Sequence, residues 1–155
     1  MDNVIFMESI TQPKGIFNHL SLMTLVIIVV GLIVLFFGIF YSMRNTNLSL
    51  TDKEVIIKSM FYGRKIPLEN ILIDEIKSIN LTENVEYKIS IRTNGIGLPG
   101  FRLGWMRLKN GQKALVYLTD VNNVLLLPTK DFVVLFSMNN IEEFIGKISR
   151  IKNSM

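Results

Sequence analysis

Residues 101–118 read FRLGWMRLKNGQKALVYL, and the reading of this stretch decides the fold. Asn110-Gly111 lies between two β-rich runs. Such a pair favours a two-residue type I′ hairpin turn, because both residues tolerate the positive φ values that the turn requires. That turn predicts a register in which Lys109 faces Gln112, Arg107 faces Ala114, Trp105 faces Val116 and Leu103 faces Leu118. On the other side Leu108 meets Lys113, Met106 meets Leu115 and Gly104 meets Tyr117. In the last pair an aromatic ring covers the bare backbone of a strand glycine.

Outward from the hairpin the signals remain those of short strands. Asn122-Asn123 marks a turn into a strand over 124–128, and Thr129-Lys130-Asp131 separates it from another over 132–136. Upstream, residues 48–50 and 54–62 flank a loop at Thr51-Asp52-Lys53, and short elements follow at 64–67, 76–81 and 87–92. In the last of these Tyr87, Ile89 and Ile91 alternate with Lys88, Ser90 and Arg92, which predicts one buried and one wet face. Gly95, Gly97 and Gly100 predict a tight, irregular connection between strands. After Ser137, with Asn139 or Asn140 as N-cap, Ile141, Phe144, Ile145, Ile148 and Ile151 recur every three or four residues as one helical stripe. Glu142 and Glu143 suit the positive end of that helix, and Lys147, Arg150 and Lys152 its negative end. About seven short strands and one C-terminal helix make a mainly β fold, a small barrel or bent sandwich closed by the helix.

Gly97-Leu-Pro-Gly-Phe-Arg-Leu-Gly104, with Met106-Arg107-Leu108, Asn110-Gly111, Lys113-Ala114 and Thr119-Asp120, resembles the signature of a bacterial PH-like (pleckstrin homology-like) domain family. The helical segment SMNNIEEFIGKISRI at 137–151 is similar to that family's closing helix. The resemblance extends over roughly residues 45–152. It implies a strongly bent seven-stranded barrel closed by one helix, with Gly97, Pro99, Gly100, Gly104, Asn110 and Gly111 as structural positions. Bacterial members often occur in membrane proteins. Phosphoinositide binding by eukaryotic relatives depends on a basic cluster around the first hairpin; Lys53, Lys58, Arg64 and Lys65 occupy that neighbourhood here without forming a crisp motif, so ligand binding does not follow from the fold.

The other decisive stretch is LSLMTLVIIVVGLIVLFFGIFY at 20–41, which holds no charged residue. As a helix it spans about 33 Å at 1.5 Å per residue, enough for a hydrocarbon core. A secretory signal would need a basic n-region and a small-residue cleavage site, but the preceding stretch holds Asp2 and Glu8 against Lys14, and no such site follows. A buried core helix would show a polar face. The expected organisation is an N-terminal flank at 1–19, a transmembrane helix at 20–43, a linker at 44–47 and the PH-like domain at 48–155. Arg44, Lys53, Lys58, Arg64 and Lys65 follow the helix whereas Lys14 alone precedes it, which places the domain on the cytoplasmic side of the cell membrane, in a single-pass protein. Thr24, Gly31 and Gly38 recur at seven-residue intervals, with Ser21 and Ser42 nearby, as a candidate self-association seam for a homo-oligomer.

From Arg44 onward the chain carries 16 of the 17 basic and 11 of the 13 acidic residues, a net charge of +5. Arg102, Arg107, Lys109 and Lys113 crowd one hairpin, with Trp105 on the face of Arg107 and Lys109. These five are candidate contacts for a ligand or an anionic headgroup; the plain alternative is that their charges solvate an outer face. Nucleic acid is not expected, since no concentrated basic stripe exists. Nor is catalysis. There are no cysteines, the single His19 precedes the apolar helix as an interfacial polar residue, and no cluster has metal-ligand spacing. Asp74-Glu75 and Glu142-Glu143 are adjacent pairs that do not converge. No Lys-Ser/Thr follows the glycines as a phosphate loop would need. No cofactor is implied. The sequence predicts a non-enzymatic module making protein–protein or lipid-surface contacts at the membrane, its bilayer a standing partner and its protein partner unnamed. The alternative is an outward-facing small-ligand or signal sensor coupled through the helix to an oligomer.

Overall fold

The computed structural model describes residues 16–44 and 46–154. Most of the expected flank at 1–19, with Lys14, lies outside the described residues, as do Asn45 of the linker and the side chains of His19, Ser42 and Arg44. The chain divides into two compact units at Arg44.

The described residues of the first unit form one helix, α1, which spans Ile16–Arg44. Its stretch Ser21–Tyr41 is long and apolar enough to cross a membrane. Large apolar side chains project all round it, among them Leu25, Ile27, Val34 and Phe36. A helix made largely of Val, Ile and Phe has modest propensity in water, but in hydrocarbon it satisfies every backbone group internally.

The second unit is mainly β, with nine strands in two sheets among the described residues and a C-terminal helix. The small sheet runs in order through β1 (Asn47–Leu50), β2 (Glu54–Lys58) and β3 (Arg64–Pro67), all antiparallel. At the β1–β2 turn the Thr51 hydroxyl donates to the Glu54 carbonyl at 2.8 Å and accepts from its N–H at 3.0 Å. The large sheet contains β4 (Lys77–Ile79), β5 (Ile89–Leu98), β6 (Phe101–Leu108), β7 (Lys113–Leu118), β8 (Val124–Pro128) and β9 (Val133–Ser137). Its order is β4-β8-β9-β7-β6-β5, antiparallel throughout except between β7 and β9. Helix α2 (Ile141–Ser154) packs on β4 and on the 3₁₀ turn at Ile73–Glu75 just before that strand, burying Ile141, Phe144 and Ile148. It starts where expected, with the Asn140 carbonyl accepting from the Phe144 N–H.

Both faces of the large sheet are covered at its centre. Met106, Leu108, Ala114, Val116, Leu118, Val124, Leu126, Val133 and Leu135 form one core with Ile79 and Leu81. Leu103, Leu115, Tyr117, Leu125, Leu127, Val134 and Phe136 are buried on the opposite face, where the Tyr117 hydroxyl donates to the Tyr62 carbonyl next to β3. Hence β8 and β9 are apolar at consecutive positions, as strands buried on both faces are.

The central hairpin forms, but with a register one residue away from the type I′ expectation. Arg107 pairs with Lys113, Met106 with Ala114, Trp105 with Leu115, Gly104 with Val116 and Leu103 with Tyr117. The Gly111 N–H donates to the Leu108 carbonyl and the Leu108 N–H to the Gln112 carbonyl, so the loop holds three residues, 109–111. Among the described residues only glycines have positive φ, and here only Gly111 does, at 85°. This is a type I turn closed by a left-handed glycine, the usual three-residue solution. The Asn110 carboxamide oxygen accepts from the Gln112 N–H at 3.0 Å, which holds Asn110 in the right-handed region.

Three further expectations are corrected in the same area. Gly95 and Gly97 are not in a connection: both lie inside β5, paired with Gly104 and Arg102, and only Pro99-Gly100 turns the chain into β6. Register shifts between Ile89 and Ile91 and between Arg92 and Asn94 break the expected alternation, leaving Ile91 59% exposed. The aromatic over Gly104 is Tyr62 and not Tyr117, since a Cβ at Gly104 would stand 2.9 Å from the Tyr62 ring.

Candidate functional site

Strand β6 alternates strictly, and this sorts the expected contact residues. Odd positions 101, 103, 105 and 107 face the small sheet; even positions 102, 106 and 108 face the other core. Arg102 therefore parts from Trp105, Arg107 and Lys113, and Lys109, in the loop just beyond β6, lines a cleft with Arg102. The five form two surfaces, not one.

On the first surface the Trp105 ring is the centre. Lys113 Nζ lies 4.2 Å from its centroid, the Arg64 guanidinium 5.3 Å, and Phe132 meets it edge-on at 5.1 Å. Arg64 reaches it because Arg64 sits opposite buried Ile57 on the inward face of β3. Cations over an indole face gain roughly 0.5–1 kcal/mol each at such exposed sites. Arg107 is turned back on the hairpin, its Nη1 donating to the Gly111 carbonyl at 3.1 Å. In the sequence Arg64 stands among the basic residues that follow the apolar helix and in the neighbourhood of the first hairpin, and there the basic residues do not assemble into one cluster. Lys53 lies in the β1–β2 turn, at the opposite end of the small sheet from Lys58 and Arg64, and Lys65 is 3.6 Å from Glu54.

The second surface is a cleft of about 280 Å³ lined by Lys88, Arg102 and Lys109 with Thr82, Leu81, Ile89 and Val121. It continues past Ile89 and Arg102 into a more open depression of about 570 Å³, where Arg92 joins them. No carboxylate lines either cavity, and none of the four cations makes an ion pair among the described residues. Sequence reading missed Lys88 and Arg92 here because Lys88, just ahead of β5, is tied to the hairpin by its carbonyl accepting from the Lys109 N–H, and Arg92 lies in the bulged part of β5.

The remaining motif residues are structural. Gly104 has φ 112°, and a Cβ there would lie 2.5 Å from the Asn94 carbonyl oxygen; Gly95 faces it, with a Cβ position 2.2 Å from the Leu103 oxygen. Gly100 has φ 72° in the β5–β6 turn. At Thr119-Asp120 the backbone N–H groups donate to the Ser137 hydroxyl, which donates to the Asp120 carbonyl. The Asp120 carboxylate accepts from the Asn122 N–H, which holds it below the usual carboxylate range. Burial pushes the Tyr117 phenol above its ordinary pKa, against the opposing charge of Arg64. In α1, Gly31 and Gly38 have open space beside them within that unit. Among the described residues no three His, Cys, Asp or Glu side chains are placed to hold a metal.

The class these features define is a two-sheet β domain closed by a C-terminal helix and preceded by a long apolar helix. The sequence pattern of the Bacterial PH domain family matches residues 46–151, more than half of the chain, and the chain belongs to that family. No curated protein and no solved structure matches it.

Proposed function

We propose that the protein is a non-enzymatic, single-pass membrane protein whose PH domain makes partner contacts at the cytoplasmic face. The observation that carries this reading is β5. It is ten residues long, forms an edge of the large sheet and is exposed along most of its length. From Asn94 to Leu98 its register against β6 is unbroken, so its outer side offers a continuous row of backbone donors and acceptors to an added strand. A strand seated there would lie about 10 Å from β6, two strand spacings, on the side of the sheet edge nearest Trp105. Arg64, Lys113 and Arg107 would then favour a partner with acidic side chains. The excess of Lys and Arg after α1 supports the cytoplasmic side.

The test is a photo-crosslinking residue at Ile91 in the full chain, in intact cells, with the same residue at Glu69 as control. A discrete adduct at Ile91 alone, abolished by Asn94→Pro, is expected. Adducts at both positions or at neither would overturn the edge-strand reading. Cleavage of the domain by protease added outside spheroplasts would overturn the cytoplasmic one.

A further inference from the structure

The loop 59–63 between β2 and β3 carries Ser-Met-Phe-Tyr-Gly, and its two central apolar side chains are out in solvent. Met60 is 62% and Phe61 56% exposed. Other exposed large apolar residues of the domain, such as Leu72, Val85, Ile91 and Leu98, stand singly; here two are adjacent at a loop tip. This exposure is built in. Tyr62 is pinned, its hydroxyl donating to Asn94 Oδ1 at 3.0 Å and its carbonyl accepting from the Tyr117 hydroxyl. A Cβ at Gly63 would stand 3.1 Å from the Ser59 carbonyl oxygen, so the turn is tight. With its C-terminal half fixed on the sheet, the loop holds Met60 and Phe61 away from the core.

The chain enters the domain at the same place. Thr46 Oγ1 lies 3.3 Å from Ser59 Oγ, and Asn47 pairs with Lys58. Thr46 is two residues past the end of α1, a reach of about 7 Å of extended chain. The flanks of the tip are cationic, with exposed Lys58 before it and Arg64 after it, and no carboxylate lies within 59–63. Two apolar side chains flanked by basic ones match the boundary between anionic headgroups and acyl chains.

We infer that Met60 and Phe61 insert into the headgroup–acyl boundary of the bilayer that holds α1, giving the domain a second contact with that membrane and a fixed orientation on it. This rests on the reading of α1 as a membrane span. The tip and the helix then act as two linked anchors, with β5 left free for a partner.

The chain has no cysteine, so single sites can be labelled cleanly. Phe61→Cys and Met60→Cys, each carrying an environment-sensitive fluorophore, are compared with Asp52→Cys at the other end of the small sheet. The full chain is reconstituted in vesicles of neutral and anionic phospholipids that bear quenchers at known depths. Labels at 60 and 61 should show blue-shifted emission, quenched most by groups about 5–10 Å below the headgroups, and the label at 52 neither. As a measurement that needs no cysteine variant, a photoreactive lipid should label residues 59–63 of the unmodified chain and lose that labelling in Met60→Ser/Phe61→Ser. Water-like emission at 61 from a chain that resists alkaline extraction overturns the inference and leaves the span standing. A dry label that lipid quenchers do not reach means a protein covers the tip, which also overturns it. Release of the chain by alkaline extraction removes the span and the inference together.

Discussion

Strand β6 changes its buried face at Gly104. Ahead of the glycine, Phe101 and Leu103 are buried towards the small sheet while Arg102 points out on the other face. Beyond it, Met106 and Leu108 are buried in the opposite core while Arg107 points out. The side-chain alternation is unbroken; what changes is which face has a cover. One strand thus serves two layers, and its two arginines reach opposite surfaces. Gly104 lies at the crossing because Tyr62, Gly95 and the Asn94 carbonyl all press on its backbone.

The largest effect is expected at that crossing. Gly104→Ala combines a φ of 112° with a Cβ 2.5 Å from the Asn94 oxygen. Strain and overpacking together should cost about 4 kcal/mol or prevent folding. Gly111→Ala has φ 85° but open space, and should cost only about 1 kcal/mol. Trp105 is the single tryptophan, so urea unfolding of the full chain in detergent micelles can be followed on it without signal from α1. Equal losses at the two glycines would refute the crossing.

Next come the halves themselves. Leu103→Ala and Leu108→Ala each remove a side chain about 1% exposed and should cost about 2–5 kcal/mol. They lie about 16 Å apart along the strand and on opposite faces, so the double variant should be additive within about 0.5 kcal/mol. Strong coupling between them would mean that the two cores are one.

Tyr117→Phe tests the small-sheet side alone. Its hydroxyl is given to the Tyr62 carbonyl, a bond contributing about 1 kcal/mol. Because burial raises the phenol's pKa in the folded state, the stability it contributes is present below pH 10.0, the ordinary value. It is lost progressively above that, as the unfolded chain ionises first. Tyr117→Phe should therefore lower stability at neutral pH and flatten the alkaline decline; an unchanged decline would remove Tyr117 from it.

Much of this was legible in residues 101–118. The hairpin, its alternation, the closing helix and the family resemblance all follow from patterns local in sequence. The register did not, because Asn-Gly suits two loop geometries, and the choice depends on Asn110 using its carboxamide on Gln112 rather than adopting positive φ. That one-residue slip puts Lys113 opposite Arg107 and lets its ammonium reach Trp105. Lys88 and Arg92 were hidden for a related reason: the register of β5 against β6 shifts between Ile89 and Ile91 and again between Arg92 and Asn94, and no local pattern in that stretch marks either shift. The pinned tip at Met60-Phe61 read as the end of a strand, since Tyr62 is held by partners 32 and 55 residues away.

The smallest effects are at the arginines, and they separate the two faces most cleanly. Arg102→Gln and Arg107→Gln are both surface changes and should alter stability by no more than about 0.5 kcal/mol. Arg107 and Lys113 share the face of Trp105, whereas Arg102 opens on the cleft with Lys88 and Lys109. Lys113→Met should therefore shift Trp105 emission strongly and Arg107→Gln weakly, while Arg102→Gln leaves the spectrum unchanged. In the cleft the order reverses: removing Arg102 relieves repulsion among three unpaired cations, so Arg102→Gln should lessen the stabilisation that added salt gives the domain by screening them, and Arg107→Gln should not. A Trp105 shift in Arg102→Gln equal to that in Lys113→Met would put both cations on one surface and undo the division at Gly104.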